Sequence, residues 1–206
     1  PVTDNCGVSS IVNDYNGTSD ASDTYLLGVT TITWTATDIY GNTSTTTQTV
    51  TITDTEDPTI TATSVSQTAD GGSCEAVVTV SSPTTGDNCG VSTVVNDYNG
   101  TTDASDTYPV GTTTVLWTVT DNSGNTDTEL QSITVTDNEA PSISTSSSVS
   151  ATNDSGQCKA TVSLPQPTTG DNCGVSTVTS DAPGNSLYNV GTSIVTWTVT
   201  DIHGNS

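Results

Sequence analysis

The sequence predicts an all-β fold built from consecutive copies of one small domain. Apolar and polar residues alternate in stretches such as 113–120, which is the pattern of a strand with one buried face. Thr, Val and Ile are abundant while helix-favouring residues are scarce, and this balance favours strands. Long motifs also recur at a nearly constant spacing, which indicates tandem duplication of a whole domain.

Two motifs define the repeat. Asp-Asn-Cys-Gly-Val-Ser begins at Asp4, Asp87 and Asp171, and Trp-Thr-x-Thr-Asp-x-x-Gly-Asn begins at Trp34, Trp117 and Trp197. The first motif recurs after 83 and then 84 residues, which is the length of a small domain. We predict the C-terminal part of a first repeat at 1–54, a complete repeat at 55–137, and a third repeat lacking its last strand at 138–206. Because the first and third copies are partial, we predict that the chain belongs to a longer array or that a neighbouring chain completes these copies.

The middle copy contains the strand signals in order. Strands are predicted at 59–68, 75–80, 90–95, 113–120 and 126–136, and a polar loop with room for a short edge strand at 96–108. Val115, Trp117 and Val119 should face inward, as should Ile133 and Val135. About seven short strands around a buried Trp indicate an immunoglobulin-like β-sandwich. Short linkers containing Pro58 and Pro141 predict that these sandwiches are arranged end to end.

The charge is strongly one-sided. The 206 residues contain 23 acidic side chains and one basic side chain, Lys159, for a net charge of −22. Nucleic acid and anionic membranes need basic partners, so neither is expected to bind, and no segment predicts membrane insertion. The charge requires counter-cations, and an acidic surface that maintains solubility in salt water is the alternative reading.

Cysteine spacing predicts one disulfide per domain. Cys74 and Cys89 are 15 residues apart, and so are Cys158 and Cys173. We therefore predict the pairs Cys74–Cys89 and Cys158–Cys173, with Cys6 paired to a residue upstream of Pro1. Metal binding and free thiols are the alternatives, although no Cys-x-x-Cys motif is present. Short-loop disulfides indicate an oxidising compartment, outside the cell or at its surface.

The combined motifs resemble the hyalin repeat. The order is Cys-x-Ala-x-Val, Asp-Asn-Cys-Gly, Val-Gly-Thr-x-x-Val-x-Trp-Thr-Val-Thr-Asp-x-x-Gly-Asn, and Thr-Val-Thr-Asp-x-Glu-x-Pro, complete over 74–141. Residues 158–205 match again and 4–58 match in part. The resemblance implies a non-enzymatic, immunoglobulin-like extracellular module of adhesive and matrix proteins and of long bacterial surface proteins. Two further cysteines common in such repeats are replaced here by Thr and Ser, which implies fewer disulfides per domain.

Acidic residues are predicted to meet where one copy joins the next. Sandwich topology places the loop after the second strand and the final hairpin turn at the end that receives the linker. The predicted set at the first joint is Asp54, Glu56, Asp57, Asp87, Asp121 and Asn125, and at the second joint it is Asp137, Glu139, Asp171, Asp201 and Asn205. All-oxygen ligands suit Ca²⁺, which would relieve the repulsion among the carboxylates. The alternative is that Asp and Asn only form turns.

No enzymatic site is predicted. His203, the single histidine, occupies a turn position held by Tyr40 and Ser123 in the other copies, which indicates an exposed residue without a catalytic role. The three Trp residues are assigned to cores rather than to a sugar site. The leading hypothesis is an extracellular rod or filament that self-associates and is stiffened by Ca²⁺. The alternatives are an adhesin binding glycans or cell-surface proteins through 96–108, and a spacer in a large secreted enzyme.

Overall fold

The computed structural model describes residues 2–146 and 148–206, so Pro1, the first residue of the predicted first repeat, lies outside the described residues. All regular structure in the described part of the chain is β-strand. The strands are β1 (Val8–Asn13), β2 (Gly28–Asp38), β3 (Thr43–Ile52), β4 (Thr59–Thr61), β5 (Val65–Thr68), β6 (Glu75–Val78), β7 (Thr84–Gly86), β8 (Val91–Asn96), β9 (Asp106–Pro109), β10 (Gly111–Asp121), β11 (Thr126–Thr136), β12 (Ser142–Ser144), β13 (Lys159–Thr161), β14 (Thr168–Gly170), β15 (Val175–Ser180), β16 (Leu187–Asn189) and β17 (Trp197–Asp201).

The chain divides into two compact units. One consists of residues 1–59, 86–93 and 120–127, and the other of residues 60–85, 94–119 and 128–206. In the first unit, β1, β2 and β3 form an antiparallel sheet in that order. Ile32 is buried and Trp34 is half-buried on β2, so the strand presents the inward face that its alternating sequence predicts.

The second unit contains the main core. Val115, Trp117 and Val119 on β10 are completely buried, and Ile133 and Val135 on β11 are 1% exposed, which confirms the predicted inward faces. Ala76 and Val78 on β6 and Tyr108 on β9 are also buried. The middle copy has one sheet in the order β5-β11-β10-β8, together with the pairs β4–β7 and β6–β9. The predicted all-β architecture of tandem immunoglobulin-like sandwiches is confirmed.

The main difference from the predicted elements is at the first strand. The predicted strand 59–68 is two strands, because β4 pairs with β7 whereas β5 pairs with β11 in parallel. Because the chain pairs with β7 through β4 and then with β11 through β5, the residues between the two strands cannot belong to either ladder. Residues 62–64 are these unpaired residues. Strand β7 lies between the predicted strands 75–80 and 90–95, where no strand was predicted, and β9 is the short edge strand at the end of 96–108.

The third copy repeats the pairs of the middle copy. Strands β12–β14, β13–β16 and β15–β17 are paired antiparallel. The β15–β17 ladder has a register shift between Val175 and Thr177, and the β1–β2 ladder has one between Val8 and Ser10. In both copies the irregularity follows the Asp-Asn-Cys-Gly motif and lies beside the Asp that begins the hairpin turn.

Candidate metal and disulfide sites between copies

The Asp-Asn-Cys-Gly loop has one conformation in the three copies. The Oδ1 atom of its Asp accepts a hydrogen bond from the Cys backbone N–H, at 2.7 Å from Cys6, 2.8 Å from Cys89 and 2.9 Å from Cys173. Gly90 has φ of 100°, and a Cβ there would lie 2.8 Å from Asn122 Nδ2. The positive φ therefore favours glycine at this position, whereas the Asn122 side chain could move away from a Cβ.

The hairpin turn is organised by its first Asp. Asp121 Oδ1 accepts the N–H groups of Ser123 and Asn125, each at 2.8 Å, and Oδ2 accepts Asn125 Nδ2 at 2.7 Å. Asp201 makes the same bonds to His203 and Asn205. Asn122 N–H donates to Gly90 O at 3.0 Å, so the turn is fixed against the loop.

The Asn that ends each turn also contacts the linker. Asn125 Nδ2 donates to Asp54 O, and Asn205 Nδ2 donates to Asp137 O, both at 3.4 Å. Linker, loop and turn are thereby brought together within one compact unit at each joint.

The result is a triad of aspartates at each joint. In each triad, one carboxylate oxygen per residue lies within 4.8 Å of the others; the triads are Asp54, Asp87 and Asp121, and Asp137, Asp171 and Asp201. Asp121 and Asp201 are only 2% exposed. The Oδ2 atoms of Asp54, Asp87 and Asp171 are buried and have no hydrogen-bond partner. Buried carboxylate oxygens without partners are costly, so they mark a position suited to a cation.

Two of these carboxylates are held in the charged form by their surroundings. Burial raises the pKa of Asp121, but hydrogen bonds from the Asn125 amide and from backbone N–H groups of the turn outweigh it, so the pKa lies below its ordinary value of 3.8. The pKa of Asp201 is lowered for the same reasons, with Asn205 in the place of Asn125. The turns thus keep these two carboxylates anionic without a cationic side chain.

The second joint has extra partners. His203 Nδ1 lies 3.2 Å from Asp137 Oδ2, and the Asp137 side chain is completely buried. Asn172 Nδ2 lies 3.3 Å from Asp137 Oδ1, donates to Ser73 O at 2.8 Å and lies 3.6 Å from Cys173 Sγ. The first joint has Ser123 where the second has His203. At the first joint, burial and the nearby carboxylates, Asp54 first among them, raise the pKa of the Cys89 thiol.

Five predicted ligands lie outside the triads. Glu56 and Asp57 are exposed in the linker, and Glu139 Oε2 instead accepts the Gly72 N–H at 2.8 Å. Asn125 and Asn205 direct their amide nitrogens at the Asp carboxylates, so they orient the triads as hydrogen-bond donors. The two joints are thus reduced to three carboxylates each.

The predicted disulfide pairs were wrong. Cys74 is bonded to Cys173, 99 residues away, whereas Cys6, Cys89 and Cys158 are free in the described part of the chain. Cys74 ends a turn whose Gly72 N–H and Ser73 carbonyl contact Glu139 and Asn172, so its sulfur faces the loop of Cys173. The repeated spacing of 15 was misleading, because any tandem array with two cysteines per copy repeats that spacing whatever the pairing.

Sequence reasoning also missed Asn172 and the Ser73 carbonyl. Asn172 is the second residue of the Asp-Asn-Cys-Gly motif, and its recurrence at Asn5 and Asn88 was the signal available. A backbone carbonyl of a turn leaves no trace in the sequence.

Residues 53–135 and 136–206 match the HYR domain family. The chain belongs to the HYR domain family. The resemblance inferred from its motifs is confirmed. Two relatives named Hyalin, from Strongylocentrotus purpuratus and Lytechinus variegatus, are each 32% identical to it over 98% of the chain. The chain spans 17% and 39% of their respective lengths.

Two solved structures are similar to the chain over most of its length. Extracellular cadherin domains 1–4 of protocadherin gamma B7 align with 96% of the chain and 59% of that structure, at 16% identity and a TM-score of 0.34. The human desmocollin-1 ectodomain aligns with 85% of the chain and 42% of that structure, at 14% identity and a TM-score of 0.29.

HYR membership identifies the chain as part of an extracellular repeat protein, located outside the cell or at its surface. Within the described residues, no helix is long and apolar enough to cross a membrane. HYR and hyalin-type repeats are not families of enzymes.

Proposed function

We propose that these HYR repeats are structural segments of an extracellular rod or filament, in which Ca²⁺ bound by the aspartate triads stiffens the joints between copies. The observation that carries this proposal is the first triad, where Asp54, Asp87 and Asp121 converge and two buried Oδ2 atoms have no partner. Self-association into longer fibres is part of the same proposal.

The donor set of the first triad fits calcium. Its ligands are carboxylate oxygens, and Ca²⁺ accepts six to eight oxygen ligands in flexible geometry, with water and backbone carbonyls completing the number. The chain has a single basic side chain, Lys159, so side-chain cations are too few to neutralise its acidic residues. A bound Ca²⁺ would supply two positive charges where three carboxylates meet.

The position of the triad gives such binding a mechanical effect. Asp54 lies in the linker after β3, Asp87 in the loop before β8, and Asp121 at the end of β10. The first belongs to the exit of one copy and the other two belong to the body of the next. A ligand held by all three would restrict the angle at which the chain passes from one copy to the next.

The first test compares calcium with a chelator, using thermal and denaturant unfolding of the purified protein. Calcium at 100 times its Kd should raise the free energy of unfolding by about 2.7 kcal/mol for each occupied site. Asp121→Asn should remove that gain at the first joint. Unchanged stability in EGTA, together with no calcium uptake by calorimetry, would eliminate the metal from this function.

Asp38→Asn is the matched control. Asp38 makes the same turn bonds as Asp121, accepting the Tyr40 and Asn42 N–H groups at 2.8 Å and Asn42 Nδ2 at 2.7 Å. It belongs to neither aspartate triad of the described residues. Both variants should lose turn stability, the buried Asp121 more than the half-buried Asp38, while only Asp121→Asn reduces calcium binding.

Filament formation has a separate test. Electron microscopy of native material should show fibres whose axial repeat matches one or a whole number of HYR copies. Particles that remain isolated at all concentrations, with and without calcium, would contradict the filament.

A further inference from the structure

We propose that successive HYR copies are joined by a disulfide from the turn cysteine of one copy to the Asp-Asn-Cys-Gly cysteine of the next, and that Cys158, Cys89 and Cys6 are half-sites for such bridges. Cys74–Cys173 is the one complete example in the described residues. This inference stands on the geometry around the cysteines and does not depend on calcium.

The complete bridge is supported by contacts on both sides. The turn that carries Cys74 receives Glu139 Oε2 from the linker on the Gly72 N–H, at 2.8 Å. Its Ser73 carbonyl accepts the side chain of Asn172, also at 2.8 Å. Residues 72–74 thus make three consecutive contacts with the linker and the next copy, so the disulfide closes a shaped interface between the two.

Cys158 is presented by the same turn as Cys74. Gly72 and Gly156 both have φ of 74°. Each turn is closed by a backbone hydrogen bond to the carbonyl of its first Asp: the Ser73 N–H donates to Asp70 O at 2.9 Å, and the Gln157 N–H donates to Asp154 O at 3.0 Å. The carbonyl groups of the two cysteines accept equivalent N–H groups, from Val110 at 3.0 Å and from Val190 at 3.1 Å. Cys158 is exposed, so its sulfur is accessible to a partner cysteine.

Cys89 and Cys6 are presented by the same loop as Cys173. In the three loops, the Asp side chain accepts the Cys backbone N–H at 2.7–2.9 Å. The first joint also repeats the residues that receive the turn, with Glu56 of the linker in the place of Glu139 and Asn88 of the loop in the place of Asn172. Glu56 and Asn88 are exposed, whereas Asn172 is half-buried against its turn. The first joint therefore has a receiving side for a further turn cysteine.

The chemistry of each bridge is an oxidation of two thiols. The two sulfur atoms form one bond and release two protons, and two electrons pass to a protein or small-molecule disulfide of the extracellular space, which is reduced to thiols. The partner of Cys158 is an Asp-Asn-Cys-Gly cysteine of another HYR copy, which a continuation of the same polypeptide or a second copy of this chain can supply.

The experiment maps disulfides in the native secreted protein. Free thiols are blocked with N-ethylmaleimide, the protein is digested with pepsin at acidic pH, and linked peptides are identified by mass spectrometry before and after reduction. The flanking residues distinguish the cysteines: Gln157 and Lys159 mark Cys158, and Thr179 and Ser180 follow Cys173. We expect Cys74 linked to Cys173, and Cys158 linked to an Asp-Asn-Cys-Gly peptide other than its own.

Two results would overturn the inference: linkage of Cys158 to Cys173 or of Cys74 to Cys89, or recovery of Cys158 mainly as the blocked thiol. Non-reducing gel electrophoresis then separates the two sources of the partner. Bridges between chains give a ladder that collapses on reduction, whereas bridges within one chain leave its apparent mass unaltered. Cys158→Ser should abolish the Cys158 linkage and leave Cys74–Cys173 intact. The bridges should form in EGTA as well as in calcium. If they do not form in either condition, this inference fails and the calcium proposal is unaffected.

Discussion

Trp117 Nε1 donates a hydrogen bond to Gln131 Oε1 at 2.8 Å, and neither side chain is exposed to solvent. Gln131 Nε2 in turn donates to Thr63 O at 2.6 Å. The carbonyl of Thr63 lies in the break between β4 and β5, where it has left the ladder. One buried amide therefore satisfies both the indole and the irregular backbone segment, and links the two.

We predict that Gln131→Leu destabilises the middle copy by about 1–3 kcal/mol, because it leaves the buried Trp117 indole N–H without a partner and removes the hydrogen bond to the Thr63 carbonyl. The matched control is Gln48→Leu in the first copy. Gln48 accepts Trp34 Nε1 at 2.9 Å but is exposed, so water can replace it. Urea unfolding followed by Trp fluorescence should show the larger loss for Gln131→Leu, and equal losses would contradict the argument.

Tyr108 should make the fold sensitive to alkali. Burial raises its pKa to about 12, and its hydroxyl donates to Ala104 O at 2.6 Å. Between pH 10 and pH 12 the unfolded chain loses this proton while the folded chain keeps it, so stability falls as pH rises. Tyr108→Phe should flatten the stability profile over that interval while costing one hydrogen bond at neutral pH. If the free energy of unfolding of Tyr108→Phe falls between pH 10 and pH 12 as steeply as that of the unchanged protein, Tyr108 is not the source of the alkali sensitivity.

Asn96 should be critical for the loop 96–108. It is 3% exposed, donates to Asn99 Oδ1 and Thr101 O, and accepts the N–H groups of Tyr98 and Asn99. Asn96→Ala leaves these groups without partners and should cost about 2–4 kcal/mol. Amide exchange across 98–101 should accelerate in the variant. Normal protection of those amides would show that the loop does not depend on Asn96.

Asp14 should contribute to acid sensitivity. Its Oδ1 accepts the Thr33 N–H at 2.7 Å, and this bond holds the pKa of Asp14 below 3.8. The associated stability is complete above pH 3.8 and is lost as pH falls through the lower folded value. Asp14→Asn should therefore reduce the loss of stability below pH 4, measured by circular dichroism. A steeper acid transition in the variant would contradict this sign.

His203 should distinguish the two joints. Its Nδ1 atom lies 3.2 Å from Asp137 Oδ2 and so competes with a cation for that oxygen. The first joint has Ser123 at the same turn position, which carries no imidazole. Under the calcium proposal, His203→Ser should raise the calcium affinity of the second triad toward that of the first. Calorimetric titration should change from two resolved affinities to more similar ones, and weaker binding in the variant would mean that the imidazole supports the site.

The sequence was sufficient for the features that repeat within a copy. The alternation around Trp117 predicted which side chains are buried, and β11 begins and ends at the predicted residues, because a strand with one buried face has a period of two. The meeting of linker, loop and turn could be argued from topology once a sandwich was assumed. Asp54, Asp87 and Asp121 lie together in the structure, and calcium binding by them stays a prediction.

Features that depend on tertiary geometry could not be predicted. The break at 62–64 follows from a change of pairing partner, which no residue in that segment specifies. The Cys74–Cys173 bond depends on how a turn meets the following copy, and one occurrence gives no repeated spacing to recognise. The hydrogen bond from the Gly72 N–H to Glu139 Oε2 depends on the same meeting of turn and linker, and no pattern in the sequence indicates it.

The Cys74–Cys173 bond also changes how the chain would respond to pulling. Tension entering at Cys74 passes to Cys173 through two sulfur atoms, so the intervening strands of the middle copy are shielded from the load. If each joint is bridged in this way, the only segment that bears the load is the 15-residue segment between the turn cysteine and the loop cysteine of the same copy, such as 158–173. Only that segment can be extended by force. That segment extends to about 50 Å, whereas an unbridged repeat would release several times that length. The protein would then behave under force as a short-linked chain with a fixed maximum extension.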